Sequence, residues 1–259
     1  MKKILLFIIS LVTFQTAFSQ NADELNMQAK DLIQQGKYND AFPILKKSAE
    51  LGNAEAQYNL GYFLQSGTTG IKNEKEAIDW YKKSSNNGFN NAHYAMMMAY
   101  GNGNGIEQNS EKAFEYALKC ANNDDETCMW NVINCYLSGN GVKPDNSKFK
   151  EWIIRLAKLP NPENLELSGN ITSARLELAN FFKNGKYFEK DNYQSYLWYL
   201  IYNESKVDFS ILKQEEAIKE IKELEKDLSK QQIDNAPKDA EKLLGRNLNN
   251  LKELYKNSL

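Results

Sequence analysis

Apolar positions recur along this chain with the 3.6-residue period of amphipathic helices, and the helical runs themselves repeat. Residues 88–105, GFNNAHYAMMMAYGNGNG, and 124–141, DDETCMWNVINCYLSGNG, each close on a Gly-Asn-Gly turn. An offset of 36 positions places Gly103 on Gly139 and Gly105 on Gly141. Upstream, residues 22–35 carry Leu25, Ala29, Leu32 and Ile33 at helical spacing and stop at Gly36. The run from Tyr38 to Leu51 carries Ala41, Leu45, Ser48 and Ala49 on one side, which predicts a first helix pair with a short connector.

From Gly52 onward each aligned column has a physical reading. Ala56, Ala92, Cys128 and Ala174 put a small residue near the start of each first helix, where helices approach closely. Leu60, Met96, Val132 and Leu178 supply buried volume. Gly67, Gly103, Gly139 and Gly185 suit left-handed C-caps, and Asn73, Asn109, Asp145 and Asp191 suit N-caps of the second helices. Within those second helices Ala77 and Ala113 allow close packing, and Trp80, Tyr116, Trp152 and Trp198 bury a large ring. The spacing is 36, 36 and then 46 residues. The ten extra residues fall in a segment with Pro160, Pro162 and Gly169, so residues 158–171 are expected to form a loop inserted at a repeat junction. The last copy has Lys186-Tyr187-Phe188 in place of the glycine turn, which predicts a differently bent connector.

Residues 206–259 hold a further stripe, Ile211, Ile218, Ile221, Leu224 and Leu228, after which Ser229 can cap another helix. Pro237 is expected to break that helix in two. Two readings stand for this tail: helices closing the array with one apolar face, or an independent charged helix.

The N-terminus is different in kind. Lys2 and Lys3 precede the apolar run Ile4–Ile9, Leu11 and Val12, and Ala17-Phe18-Ser19 follows before Gln20. That order is a secretory signal peptide over residues 1–19, cleaved after Ser19, with an uncleaved anchor as the alternative. Polar residues Ser10, Thr13, Gln15 and Thr16 interrupt the apolar segment, which is short for a bilayer span. A periplasmic or secreted, monomeric protein without membrane insertion after signal removal is therefore expected. Without Lys2 and Lys3 the balance is 30 basic to 34 acidic residues, mixed along every helix, which argues against a nucleic-acid partner.

The 31-residue unit AEAQYNLGYFLQSGTTGIKNEKEAIDWYKKS, Ala54–Ser84, returns at 90–120, 126–156 and 172–202. Glycine turn, capping residue and aromatic recur together, and over roughly residues 36–205 the chain resembles the Sel-like repeat family, relatives of the tetratricopeptide repeats. The resemblance implies an all-α fold, a right-handed α/α superhelix of about five helix pairs with a C-terminal helical cap. It also implies a surface for protein or peptide binding. In the cysteine-rich branch of that family a pair spaced like Cys120 and Cys128 forms a disulfide between adjacent helices. Export would permit that bond; three unpaired buried cysteines are the alternative. Cys135, about 10 Å along the same helix from Cys128, is too far for a bridge and is expected in the core.

Candidate chemistry is sparse. His93 is the only histidine, and no cysteine or carboxylate cluster surrounds it at ligand spacing, so neither a metal site nor a catalytic triad is expected. It is expected on an exposed face. Gly101–Gly105 follows a helix and lacks a succeeding Lys-Ser/Thr, which makes it a turn and not a phosphate cradle. Asp124, Asp125 and Glu126 sit at a helix start, where the dipole favours negative charge. Met96, Met97 and Met98 read as core on one side and surface on the other. No enzyme activity and no cofactor are expected.

The concave side, in this repeat class, belongs to the first helices. Two residues before the Leu60 column stand Tyr58, Tyr94, Trp130 and Leu176; two after it stand Tyr62, Met98, Asn134 and Asn180. Stacked repeats would align these into a ladder of rings and amides, either lining a groove or packing between neighbours. The reading is a non-enzymatic binding scaffold of the cell envelope. An immunity or inhibitor protein against a toxin or envelope enzyme is one alternative; an envelope hydrolase, as proposed for some cysteine-rich relatives, is another.

Overall fold

The computed structural model describes residues 21–161, 169–204 and 211–248. The expected signal segment and most of the inserted loop lie outside these residues. Every described regular element is a helix. α1 covers 21–34, and α2 (Tyr38–Glu50), α3 (Ala54–Ser66), α4 (Glu74–Asn86), α5 (Asn90–Asn102) and α6 (Ser110–Ala121) follow. Then come α7 (Glu126–Ser138), α8 (Asn146–Lys158), α9 (Gly169–Asn184), α10 (Asn192–Tyr202), α11 (Ile211–Glu225) and α12 (Lys230–Leu244). Among the described residues no helix is long and apolar enough to cross a membrane.

Two compact units emerge. Among the described residues, the first holds those up to Asn123 together with Asn140–Val142; the second holds Asp124–Gly139 and those from Lys143 onward. In the first, α2 packs on α3, α3 on α4, α4 on α5 and α5 on α6. In the second, α7 packs on α8, α8 on α9 and α9 on α10, while α11 and α12 both lie against α10. Consecutive helix pairing of this kind is an all-α helical-repeat fold.

The capping chemistry accounts for where helices begin and end. Asn73, Asn109, Asp145 and Asp191 each accept a backbone N–H from the first turn of α4, α6, α8 and α10. Asn53 and Asp125 do the same for α3 and α7. Gly67, Gly103, Gly139 and Gly185 are all left-handed, at φ between 69° and 80°. The small column Ala56, Ala92, Cys128, Ala174 is fully buried, as are Leu60, Met96, Val132 and Leu178, and the ring column Trp80, Tyr116, Trp152, Trp198 is buried.

Several expectations need correction. The fifth connector is not bent differently, because Tyr187, in register with Gly105 and Gly141, adopts the same left-handed conformation at φ +64°. Its ring lies 4.9 Å from Phe149 and 5.1 Å from Phe181, and this packing offsets the roughly 1–2 kcal/mol that a non-glycine residue loses there. Gly141 has no such freedom: a Cβ there would sit 2.1 Å from the Ser110 carbonyl oxygen.

Pro237 does not break α12, which runs through it with a Ser229/Gln232 capping box and with Ala236 and Ala240 buried. Tertiary burial outweighs the one lost hydrogen bond. The inserted loop is shorter than expected, because α9 already starts at Gly169 and buries Ile171. Cys135 is half-buried and unbridged instead of lying in the core.

One column escapes the sequence reading. Gln57, His93, Met129 and Arg175 each follow the small residue of their repeat, and all four are buried. Gln57 Nε2 donates to the Ala49 carbonyl at 3.1 Å and Arg175 Nε to the Ala157 carbonyl at 2.9 Å. His93 Nδ1 and Ser85 Oγ share a hydrogen bond of 2.7 Å. In these three repeats a buried polar side chain ties the first helix to the last turn of the helix before it, where carbonyls lack helical partners.

Candidate functional site

Tyr58 and Tyr62 stand one turn apart on α3, and Tyr94 and Met98 one turn apart on α5. Tyr58 is half-buried, its ring 5.6 Å from Tyr81 and 5.4 Å from Phe89. Burial first, then the neighbouring Tyr62 and Tyr94 phenols, push its pKa above the usual tyrosine range. Gly61 makes the packing possible: a Cβ in its place would meet the Tyr81 ring at 2.8 Å. Tyr81 in turn donates its hydroxyl to Gln65 Oε1 at 2.8 Å. Above this rigid layer Tyr62, Tyr94 and Met98 remain 52%, 37% and 39% exposed. Two consecutive first helices of the first unit thus present large side chains to solvent beside a packed cluster of rings, Tyr58, Tyr81 and Phe89.

The second unit treats the matching positions otherwise. Trp130 is half-buried and Asn134 exposed on α7. Leu176 and Asn180 are half-buried and line one cleft with Tyr199 and with Glu216, Ala217 and Glu220 of α11. Asn180 Oδ1 accepts from the Tyr199 hydroxyl and its Nδ2 donates to the Leu176 carbonyl, both at 3.0 Å. Lys183 on α9 pairs with Glu220. The cap helix therefore overlies this part of α9, and the Asn180 amide is already engaged at both atoms.

Residues considered for chemistry resolve into structural roles. His93 is buried, not on an exposed face, because position 93 turns toward the last turn of α4. Desolvation, then the Lys119 charge, pulls its pKa below the usual histidine value. Asp124 pairs with Arg155 at 2.7 Å, and Asp125 caps α7 through the Cys128 N–H at 2.9 Å. Glu126 accepts from the Ile171 backbone N–H, yet burial raises its pKa. Met96 and Met97 are core and Met98 is surface. Burial pushes the Cys135 thiol up, away from nucleophilic character. Cys120 and Cys128 are joined by a disulfide.

Tyr38 and Asn59, which the sequence reading did not single out, line a cleft of about 520 Å³ together with Tyr62. Offsets of two counted from Leu60 pass over positions 55 and 59, although a helical period puts both on the Tyr62 side of α3.

The Sel1 repeat pattern matches residues 54–89, 92–125, 134–161 and 172–201. The crystal structure of a Sel1 repeat protein from Oxalobacter formigenes is similar with TM-score 0.54 and 22% identity, over 78% of this chain and 86% of that one. A protective antigen of uropathogenic Escherichia coli with an SLR fold aligns at TM-score 0.39 and 21% identity, over 87% of this chain and 53% of that one. A candidate Sel1 repeat protein of Klebsiella pneumoniae aligns at TM-score 0.40 and 15% identity, over 82% of this chain and 99% of that one. No curated protein is a significant match to the sequence. With four copies of the repeat, their caps and glycine turns in register and the fold shared with a solved relative, the chain belongs to the Sel1 repeat family of helical repeat scaffolds.

Proposed function

We propose that the protein is a non-enzymatic scaffold of the cell envelope that holds a protein or peptide partner on the first-helix faces of its first unit. The observation carrying this reading is the exposure of Tyr62, Tyr94 and Met98 on α3 and α5 beside the half-buried ring of Tyr58. Rigid aromatic side chains give large contact area with little loss of conformational freedom, which suits them to anchor a partner. The Cys120–Cys128 disulfide and the basic, apolar and small order of residues 1–19 support export to an oxidising compartment.

A photo-crosslinking amino acid placed at Tyr94 in cells tests the reading. One dominant adduct in the envelope fraction, lost when Tyr62 and Met98 are replaced by aspartate, is the expected result. Absence of a specific adduct, or capture indifferent to those replacements, sinks it. N-terminal sequencing of the exported protein should begin at Gln20.

A further inference from the structure

Two clefts meet at the start of the first unit. One, about 420 Å³, is lined by Asp23, Asn26, Met27 and Asp31 of α1 and by Asn53 and Glu55 at the start of α3. The other, about 520 Å³, is lined by Tyr38, Asn59, Tyr62, Phe63 and Thr68. Lys30, Gln34 and Glu55 border both, so the two form one trough along α1 and α3.

Its two ends differ in chemistry. Glu55 is satisfied: Lys30 Nζ reaches Oε1 at 2.8 Å and Asn26 Nδ2 donates to Oε2 at 2.7 Å. Asp23 accepts from Asn53 Nδ2 at 2.7 Å, but neither Asp23 nor Asp31 has an ion-pair partner among the described residues. Two uncompensated negative charges therefore stand at this end. Beside them Asn26 is 4% exposed, and its Oδ1 accepts no hydrogen bond. Such an atom is costly to bury, and an incoming cationic donor would relieve it. At the other end Tyr38 and Tyr62 are 41% and 52% exposed, with the Phe63 ring 5.9 Å from Tyr38 as a floor.

We propose that this trough takes an extended peptide segment of about six residues, in which a lysine or arginine seats against Asp23 and Asp31 and an aromatic side chain against Tyr38 and Tyr62. Charge complementarity selects the basic residue, and exposed aromatic walls select the ring. The length follows from α3, whose 13 residues span roughly 20 Å, against about 3.3 Å per residue of extended chain. Asn59, between the two ends, offers its amide to the peptide backbone. The inference rests on the binding-scaffold reading and names the chemistry of what that scaffold takes.

Fluorescence polarisation with a labelled heptapeptide carrying Lys at its second and Trp at its sixth position, and with the reversed order, tests it on the purified protein. The expected result is saturable binding of at least one order, weakened tenfold or more when Lys becomes Glu or Trp becomes Ser, and weakened by salt. Asp23→Asn with Asp31→Asn should erase the preference for Lys over Ala while the preference for Trp survives; Tyr62→Ala should do the reverse. Circular dichroism of these surface variants should match wild type. Equal affinity for Lys and Glu peptides, a Lys preference surviving in the Asp23/Asp31 variant, or no binding of either order overturns the proposal. If peptides fail to bind while the Tyr94 adduct still forms, only this inference falls; if that adduct is also absent, the scaffold reading falls with it.

Discussion

Arg175 and Glu204 form a fully buried ion pair, Nη1 to Oε1 at 3.0 Å, with side chains 0% and 1% exposed. The guanidinium also donates to the carbonyls of Ala157 and Leu159 and to Asn161 Oδ1, and Arg246 closes on the other side of the same carboxylate. The end of α8, the body of α9, the end of α10 and the segment after α12 are thereby tied at one carboxylate. Desolvation, the largest influence, brings the Arg175 pKa down to about 10, against the opposing pull of Glu204. Glu204→Ala strands that charge in the interior and should lower unfolding stability by roughly 3–5 kcal/mol in urea titrations followed by circular dichroism. Arg175→Met combined with Glu204→Leu should recover much of the loss.

The buried imidazole of His93 makes stability fall on mild acidification. A base whose folded pKa lies below its unfolded value near 6.5 binds fewer protons when folded. Protonation of the unfolded chain therefore draws stability down as pH drops below about 6.5, by at most about 1.4 kcal/mol per pH unit. Thermal melts between pH 7.5 and 5.0 should show this slope in the wild type. His93→Gln, which copies the residue at the matching place in the preceding repeat, should flatten it.

Glycines at left-handed positions should separate into two classes. Gly36 at φ +73° has nothing within 4 Å of a built Cβ, so Gly36→Ala loses only the conformational term of roughly 1–2 kcal/mol. Gly141→Ala adds a collision with the Ser110 carbonyl 2.1 Å away and should lose clearly more. Equal midpoints for the two variants in a denaturant titration would contradict the close approach of that backbone.

Peptide mapping without reductant should recover Cys120 joined to Cys128 and Cys135 as an alkylatable thiol once unfolded. Reduction opens a loop of only a few residues, and the chain-entropy estimate for its closure is about 2–3 kcal/mol. A melt unchanged by reductant would show that the bond adds nothing to folded stability.

The repeat was legible because its determinants are local. A cap such as Asn109, a left-handed glycine such as Gly103 and the spacing of Ala92, Met96 and Tyr100 all act within a few residues and recur at a fixed offset. Sequence alone therefore determined the helix pairs, most of their ends and the columns of small, aliphatic and ring residues, but not the start of α9 or the continuity of α12 through Pro237. It also marked the first-helix positions to consider for binding.

Tertiary structure decided what those positions meet. Tyr58 sinks between Tyr81 and Phe89 while Tyr62 stays open, and within the second unit α11 lies beside Leu176 and Asn180. His93 reads from the sequence as an exposed residue, yet it is buried against the end of the preceding helix, and so is Arg175. Partners such as Glu204 for Arg175 or Glu55 for Lys30 lie 25 or more residues away in the chain. No local period encodes such pairings, because they arise only when whole helices are laid side by side.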